Sequence, residues 1–150
     1  MFKKILCATD LNTSSSEAVI KAVQLAHQYD SKIIMLNVQE EFISKDELGM
    51  LRVSINTIKT KFETTALQVK KEMIEEMESL HSEHIQVEYL IKDGKPNKII
   101  CEEAQKAQAD LIIMGVTDTN IISNFIFRST ASFVIEHVDI PVLVVPVKSK

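Results

Sequence analysis

A carboxylate at Asp10 closes a short apolar run, Ile5-Leu6-Cys7-Ala8. At the end of a buried strand it would accept hydrogen bonds from a ligand's ribose or amide, or simply open a turn. Gly49, Gly94 and Gly115 are the three glycines in 150 residues, far below the usual share of about 7%. They stand too far apart for a dinucleotide fingerprint or a Walker A loop, which need clustered glycines to bring backbone against phosphate. His81 and His84 are three apart, but two imidazoles do not complete a metal site, and no metal is expected. A phosphoacceptor reading of Asp10, Asp93 and Lys148 fails because Mg²⁺ needs an acidic pair after the first strand, and Leu11 follows Asp10. Ser14, Ser15 and Ser16 have no histidine or lysine base nearby in sequence and read as helix caps. With no activated catalytic pair, the expectation is a protein that is not an enzyme.

The elements that position these residues alternate. Phe2 to Thr9 reads as a strand buried on both faces. Ser14 and Glu17 match a capping box ahead of a helix through Ala18, Ala22, Leu25, Ala26 and Tyr29, ending near Asp30. Ile33 to Val38 is a second strand. From Leu51 through Ile55, Ile58, Phe62, Ala66, Val69, Met73, Met77 and Leu80, apolar residues recur about every 3.6 positions, the repeat of one long helix of roughly 45 Å. Glu72, Glu75, Glu76 and Glu78 read as its solvated face.

Ile85 to Ile91 is a third strand, and Asp93-Gly94-Lys95-Pro96 a turn with Pro96 opening a helix that uses Ile99, Ile100, Ala104 and Ala107. Leu111 to Met114 is a fourth strand, stopping at Gly115. A helix from about Ser129 follows, on Ala131, Val134, Ile135 and Val138, and then an apolar strand, Ile140 to Val147. Between the fourth strand and that helix, Ile121, Ile122, Phe125, Ile126 and Phe127 make an apolar loop that either fills a site from within or offers a contact surface. Strands alternating with helices imply a single α/β domain over residues 1–150. Its five-stranded parallel sheet has the order 3-2-1-4-5 and helices on both faces. A ligand would bind at the carboxyl ends of strands 1 and 4, beside Asp10, Val38 and Gly115.

Composition agrees with a single globular domain: 45% hydrophobic and 25% charged residues. A net charge of −4 argues against nucleic acid as the main partner. No apolar run is long enough to span a membrane, and Met1-Phe2-Lys3-Lys4 leads into a strand rather than a secretory signal. Cys7 and Cys101 both sit in apolar segments and read as reduced core residues, so the expected compartment is the cytoplasm.

Taken in order, Lys4-Ile5-Leu6-Cys7-Ala8-Thr9-Asp10, Asp93-Gly94-Lys95-Pro96, Asp110 to Gly115 and His137 through Pro141 to Pro146 resemble the universal stress protein family along nearly the whole chain. Family members that bind ATP carry glycine, two residues, glycine, nine residues, glycine, then serine or threonine. Laid on this chain the first glycine is Gly115 and the hydroxyl is Ser129, but Asp118 and Arg128 replace the other two glycines. A side chain at such a position fills space meant for phosphate, and Asp118 adds a negative charge beside a polyanion.

The resemblance therefore implies a stress-response regulator or binding module without tight ATP binding and with no cofactor expected. The alternative it leaves is an ATP-binding switch with slow or no hydrolysis. There Asp10 and Val38 would face adenosine, Gly115 and Ser129 at the first turn of the last helix would face phosphate with Mg²⁺, and Arg128 would stand in for a lost backbone contact. It also implies a homodimer through the edge strand 140–147, with Pro141 and Pro146 limiting the register, and leaves room for further protein partners.

Overall fold

The computed structural model describes the backbone of residues 1–11, 13–40, 55–117 and 122–147 and, within these, the side chains other than those of 13–15, 55, 117, 122–128 and 147. The elements run β1 (Lys4–Ala8), α1 (Thr13–Tyr29), β2 (Lys32–Gln39), α2 (Ile55–Glu78), β3 (Val87–Asp93), α3 (Pro96–Lys106), β4 (Leu111–Thr117), α4 (Ile122–His137) and β5 (Val142–Val147). All neighbouring strands are parallel, and the sheet order is β3-β2-β1-β4-β5, as the sequence predicts.

The unbroken apolar runs of the central strands follow from cover on both faces. Ile5 and Cys7 of β1, with Ile33 and Met35 of β2, pack under Ala18 and Val19 of α1 and Met73 and Met77 of α2. Leu6 and Ala8, with Ile34 and Leu36, pack on the opposite face against Ile100 and Ala104 of α3 and Val134 of α4. Alternate residues thus serve different cores, and Ile5 to Ala8 and Ile33 to Leu36 are buried whichever face they serve.

Local chemistry sets most boundaries. Helix α1 begins at Thr13, so Ser14 stands inside it rather than before it as the expected capping box requires. It ends where Asp30 takes the left-handed conformation (φ 56°) and Ser31 N–H donates to the Ala26 carbonyl at 3.0 Å. Helix α2 shows the expected stripe, with Val69, Met73 and Met77 buried; its expected start at Leu51 lies outside the described residues. Strand β3 starts two residues later than the Val/Ile/Tyr-rich run, because Ile85 N–H still closes a turn onto the Ser82 carbonyl at 2.9 Å. Lys95 stands at the N-cap position of α3 without a side-chain capping bond, Pro96 opens the first turn, and Gly94 takes a φ of +146° that only glycine adopts easily.

Two boundaries near the carboxyl ends differ from expectation. Strand β4 does not stop at Gly115: Val116 and Thr117 continue it opposite Pro146 and Val147, β-branched residues that carry the ladder past the glycine. Helix α4 starts at Ile122, so residues 122–127 are helix rather than loop, while Ile121 lies outside the described residues. From Ile122 to Arg128 the sequence has neither Gly nor Pro, and helix is the simplest way for its backbone groups to find partners. Ile135, assigned to the buried face of this helix, is 53% exposed. Among the described residues no helix is long and apolar enough to cross a membrane.

Candidate functional site

The chain leaves β1 toward α1 on one face and leaves β4 toward α4 on the other, which puts the switch point of the sheet between the carboxyl ends of β1 and β4, where sheets of this kind hold their ligand cleft. The loop after β1 is pinned to β2. Thr9 N–H donates to the Leu36 carbonyl at 2.9 Å, and the Asn37 side-chain amide donates to the Thr9 carbonyl at 2.9 Å in a buried bond. Leu11, with φ 68°, donates its N–H to Thr9 Oγ1 at 3.1 Å. Gln39 Nε2 donates to Asn37 Oδ1, and Gly94 N–H to the Gln39 carbonyl at 3.1 Å. This chain of bonds runs from β1 across β2 to the turn after β3 and leaves Asp10 exposed at its end.

Asp10 has a charged neighbour that sequence spacing did not reveal. Glu76 of α2 is half-buried, hydrogen-bonded to the Ser16 side chain of α1. Its carboxyl is held above the usual glutamate range by burial first and by the Asp10 charge in addition, with the Ser16 bond opposing both. Glu76 is therefore not part of a solvated acidic face, and Ser16 serves it rather than acting as a cap. The thiol of Cys7 beneath is pushed far above the ordinary range by complete burial and by the Glu76 charge, which makes it an inert core group. No spacing rule links Glu76 to Asp10; only the crossing of α2 over α1 and β1 does.

Asp10, Val38 and Gly115 come together at the carboxyl ends of three adjacent strands, Val38 half-buried and Gly115 buried. Gly115 stands within β4 opposite Val145 rather than at its end. Ser129 is not with them in the expected way. It is exposed in the third turn of α4 instead of at its start, so it has no helix N-terminus behind it. Arg128 lies in the same turn, where the backbone alone is described, and Asp118 lies outside the described residues. Asn37 and Thr9 were missed. The signal for Asn37 was present, a lone amide inside Ile-Ile-Met-Leu-Asn-Val.

Beyond the cleft, His27 Nε2 lies 3.1 Å from the His81 carbonyl oxygen at the far end of α1. Among the described residues no group of three or more His, Cys, Asp or Glu could hold a metal ion.

A family model described as the Universal stress protein family matches residues 1–146. The chain belongs to the universal stress protein family. Membership places it among stress-response proteins. A universal stress protein of Methanocaldococcus jannaschii is 29% identical over 147 residues, 97% of this chain and 82% of the relative. Among solved structures, the hypothetical protein MJ0577 superposes with a TM-score of 0.76 at 22% identity, covering 100% of this chain and 99% of the other. A universal stress protein in complex with cAMP gives 0.67 at 18% identity, with 97% of each chain covered. These structures share the universal stress protein fold with this chain, and the second carries a cyclic nucleotide on it.

Proposed function

We propose that this universal stress protein is a non-enzymatic, homodimeric regulatory module of the cytoplasmic stress response that works without tight ATP binding. The course of α4 carries the reading. A phosphate-binding hydroxyl needs the free N–H groups of a helix start beside it, and Ser129 sits in the third turn with those groups already used within the helix. The residues that replace motif glycines, Asp118 and Arg128, work in the same direction by adding side chains where backbone would have to approach phosphate.

The assembly half of the reading rests on β5. It is an edge strand, paired among the described residues with β4 alone, uncharged, and exposes Leu143 beside Pro141 and Pro146. Such an edge pairs or is covered in stable proteins, and strand 140–147 of a second copy is the partner we assign to it. Light scattering at micromolar concentration should give twice the chain mass of 16.9 kDa; a monomer would refute the assignment.

A nucleotide-binding switch is the second reading, favoured by the cAMP complex of a fold relative. It would place adenosine against Asp10 and Val38, and phosphates with Mg²⁺ near Gly115, Arg128 and Ser129. Calorimetric titration with Mg-ATP separates the two. Absence of binding up to millimolar concentration supports the module reading and directs attention to protein partners. Micromolar binding that Arg128→Ala weakens would replace it with the switch.

A further inference from the structure

A groove of about 270 Å³ lies on the face of the sheet that α3 and α4 cover, between α3 and the edge strand β3, apart from the cleft at the carboxyl ends. It exists because α3 is only 11 residues long and does not reach across β3. The strand sequences record the opening. On this face Leu6, Ile34 and Leu36 are buried, yet Lys4, Lys32, Glu88 and Lys92 occupy positions of the same parity on β1, β2 and β3. Charged residues at core-facing positions of a parallel sheet need a reason.

The charges do not balance within the groove. Four lysines, Lys4, Lys32, Lys92 and Lys106, line it against two glutamates, Glu88 and Glu103, in a chain whose net charge is −4. Lys32 pairs with Glu88 at 3.1 Å and Lys92 more loosely with Glu103 at 3.8 Å. Lys4 Nζ donates to the Ala107 carbonyl at 3.1 Å, which satisfies the end of α3, and Lys4 has no ion pair among the described residues. Lys106 has no ion pair among the described residues. The Asp110 carboxylate accepts from the main-chain N–H groups of Lys3 and Lys4 at 2.8 and 3.2 Å. Lys4 and Lys32 also stand directly opposite on paired strands, an arrangement that is unfavourable for like charges.

We infer that this groove is a binding site for a small organic anion, its acidic group held by Lys4 and Lys106 and its short aliphatic body lying on Leu90 and Ala107. An anion there relieves the Lys4–Lys32 repulsion and collects charge-assisted hydrogen bonds from two ammonium groups. Leu90 and Ala107 offer a narrow apolar floor over buried Ile34, which suits a chain of a few carbons and no more. The site goes beyond the nucleotide question, since none of its residues belongs to the cleft.

The test is amide chemical-shift titration of the ¹⁵N-labelled full chain at constant ionic strength, one arm with butyl phosphate and the other with pentanoate. At least one arm should saturate, with shifts confined to the amino-terminal ends of β1 and β2, to β3 and to the carboxyl end of α3, and the arm that saturates identifies the acid. Lys106→Gln should weaken that binding about fivefold, Glu103→Gln should tighten it about twofold, and Lys21→Gln, the same charge change on α1, should leave it unaltered. The inference is overturned if neither arm saturates, if Lys21→Gln weakens binding as much as Lys106→Gln, or if saturating Mg-ATP displaces the probe, because the shifts would then report the cleft.

Discussion

The side-chain amide of Asn37 donates to the main-chain carbonyl of Thr9 across 2.9 Å, both residues buried. This bond ties the end of β1 to β2 and holds the loop that presents Asp10. A buried acceptor left without its donor costs more than a hydrogen bond's net worth, because the carbonyl was desolvated on folding and gains nothing back.

Asn37→Ala should therefore lower stability by about 1–3 kcal/mol in a denaturant titration. It should also speed hydrogen exchange at Leu11, whose N–H depends on the position of Thr9. A variant as stable as the parent would show that the loop is held by other means.

Glu76 makes stability depend on pH with a definite sign. Its carboxyl holds a proton to higher pH in the folded chain than in the unfolded one, chiefly through burial. The stabilisation from the neutral form is complete below the ordinary glutamate range and is lost as pH rises through the raised folded value. Glu76→Gln removes that loss, and its amide oxygen still accepts from Ser16. At pH 7 the variant should be more stable by less than about 1 kcal/mol, since the carboxyl half faces water, and the two thermal midpoints should converge near pH 4. A variant less stable than the parent at pH 7 would mean that the Ser16 bond outweighs burial.

The parts of this structure legible in the sequence were those written as repeats. Ile33 to Leu36 reads as a strand sunk in two cores because each residue is apolar whichever face it serves, and Met73 and Met77 lie buried where the helical period puts them. Glu76 was not legible. It lies in an acidic run whose other members, Glu72, Glu75 and Glu78, face water, and its partners Ser16 and Asp10 are 60 or more residues away in sequence. The start of α4 was missed for another reason. The absence of glycine between Gly115 and Ser129 was noted as a loss for phosphate binding, but it also removes what would stop a helix from extending back to Ile122.

Burial of Cys7 should be visible chemically. Its thiol is fully buried and held far from ionisation, and a thiolate is the reactive species. Ellman's reagent at pH 8 should leave Cys7 unmodified in the native protein and react with both cysteines in guanidinium. Rapid native labelling of Cys7 would mean that the core under α1 and α2 opens readily.

The orientation of α2 separates two substitutions of similar size. Met73 is fully buried, whereas Leu67, six positions earlier and on another face of the same helix, is 73% exposed. Met73→Ala should cost about 2–5 kcal/mol, through lost transfer energy and the cavity left between α1 and the sheet. Leu67→Ala should change stability by no more than about 0.5 kcal/mol. Equal effects in thermal unfolding would require a different rotation of the helix about its axis.

Gly94 links the end of β3 to α3 under two separate constraints. Its φ is +146°, and a Cβ placed there would come within 3.0 Å of Ile99 Cγ1 and 3.1 Å of Ile99 Cδ1. The second constraint lies in a flexible side chain and can be relieved; the first lies in the backbone and cannot. Gly94→Ala should cost about 1–3 kcal/mol, and adding Ile99→Val should recover only a part, since it removes Cδ1 and leaves the dihedral unchanged. A double-mutant cycle measures the split. Full recovery would assign the cost to the contact with Ile99 Cδ1, while no recovery with either Ile99→Val or Ile99→Ala, which removes Cγ1 as well, would assign it to the backbone at Gly94.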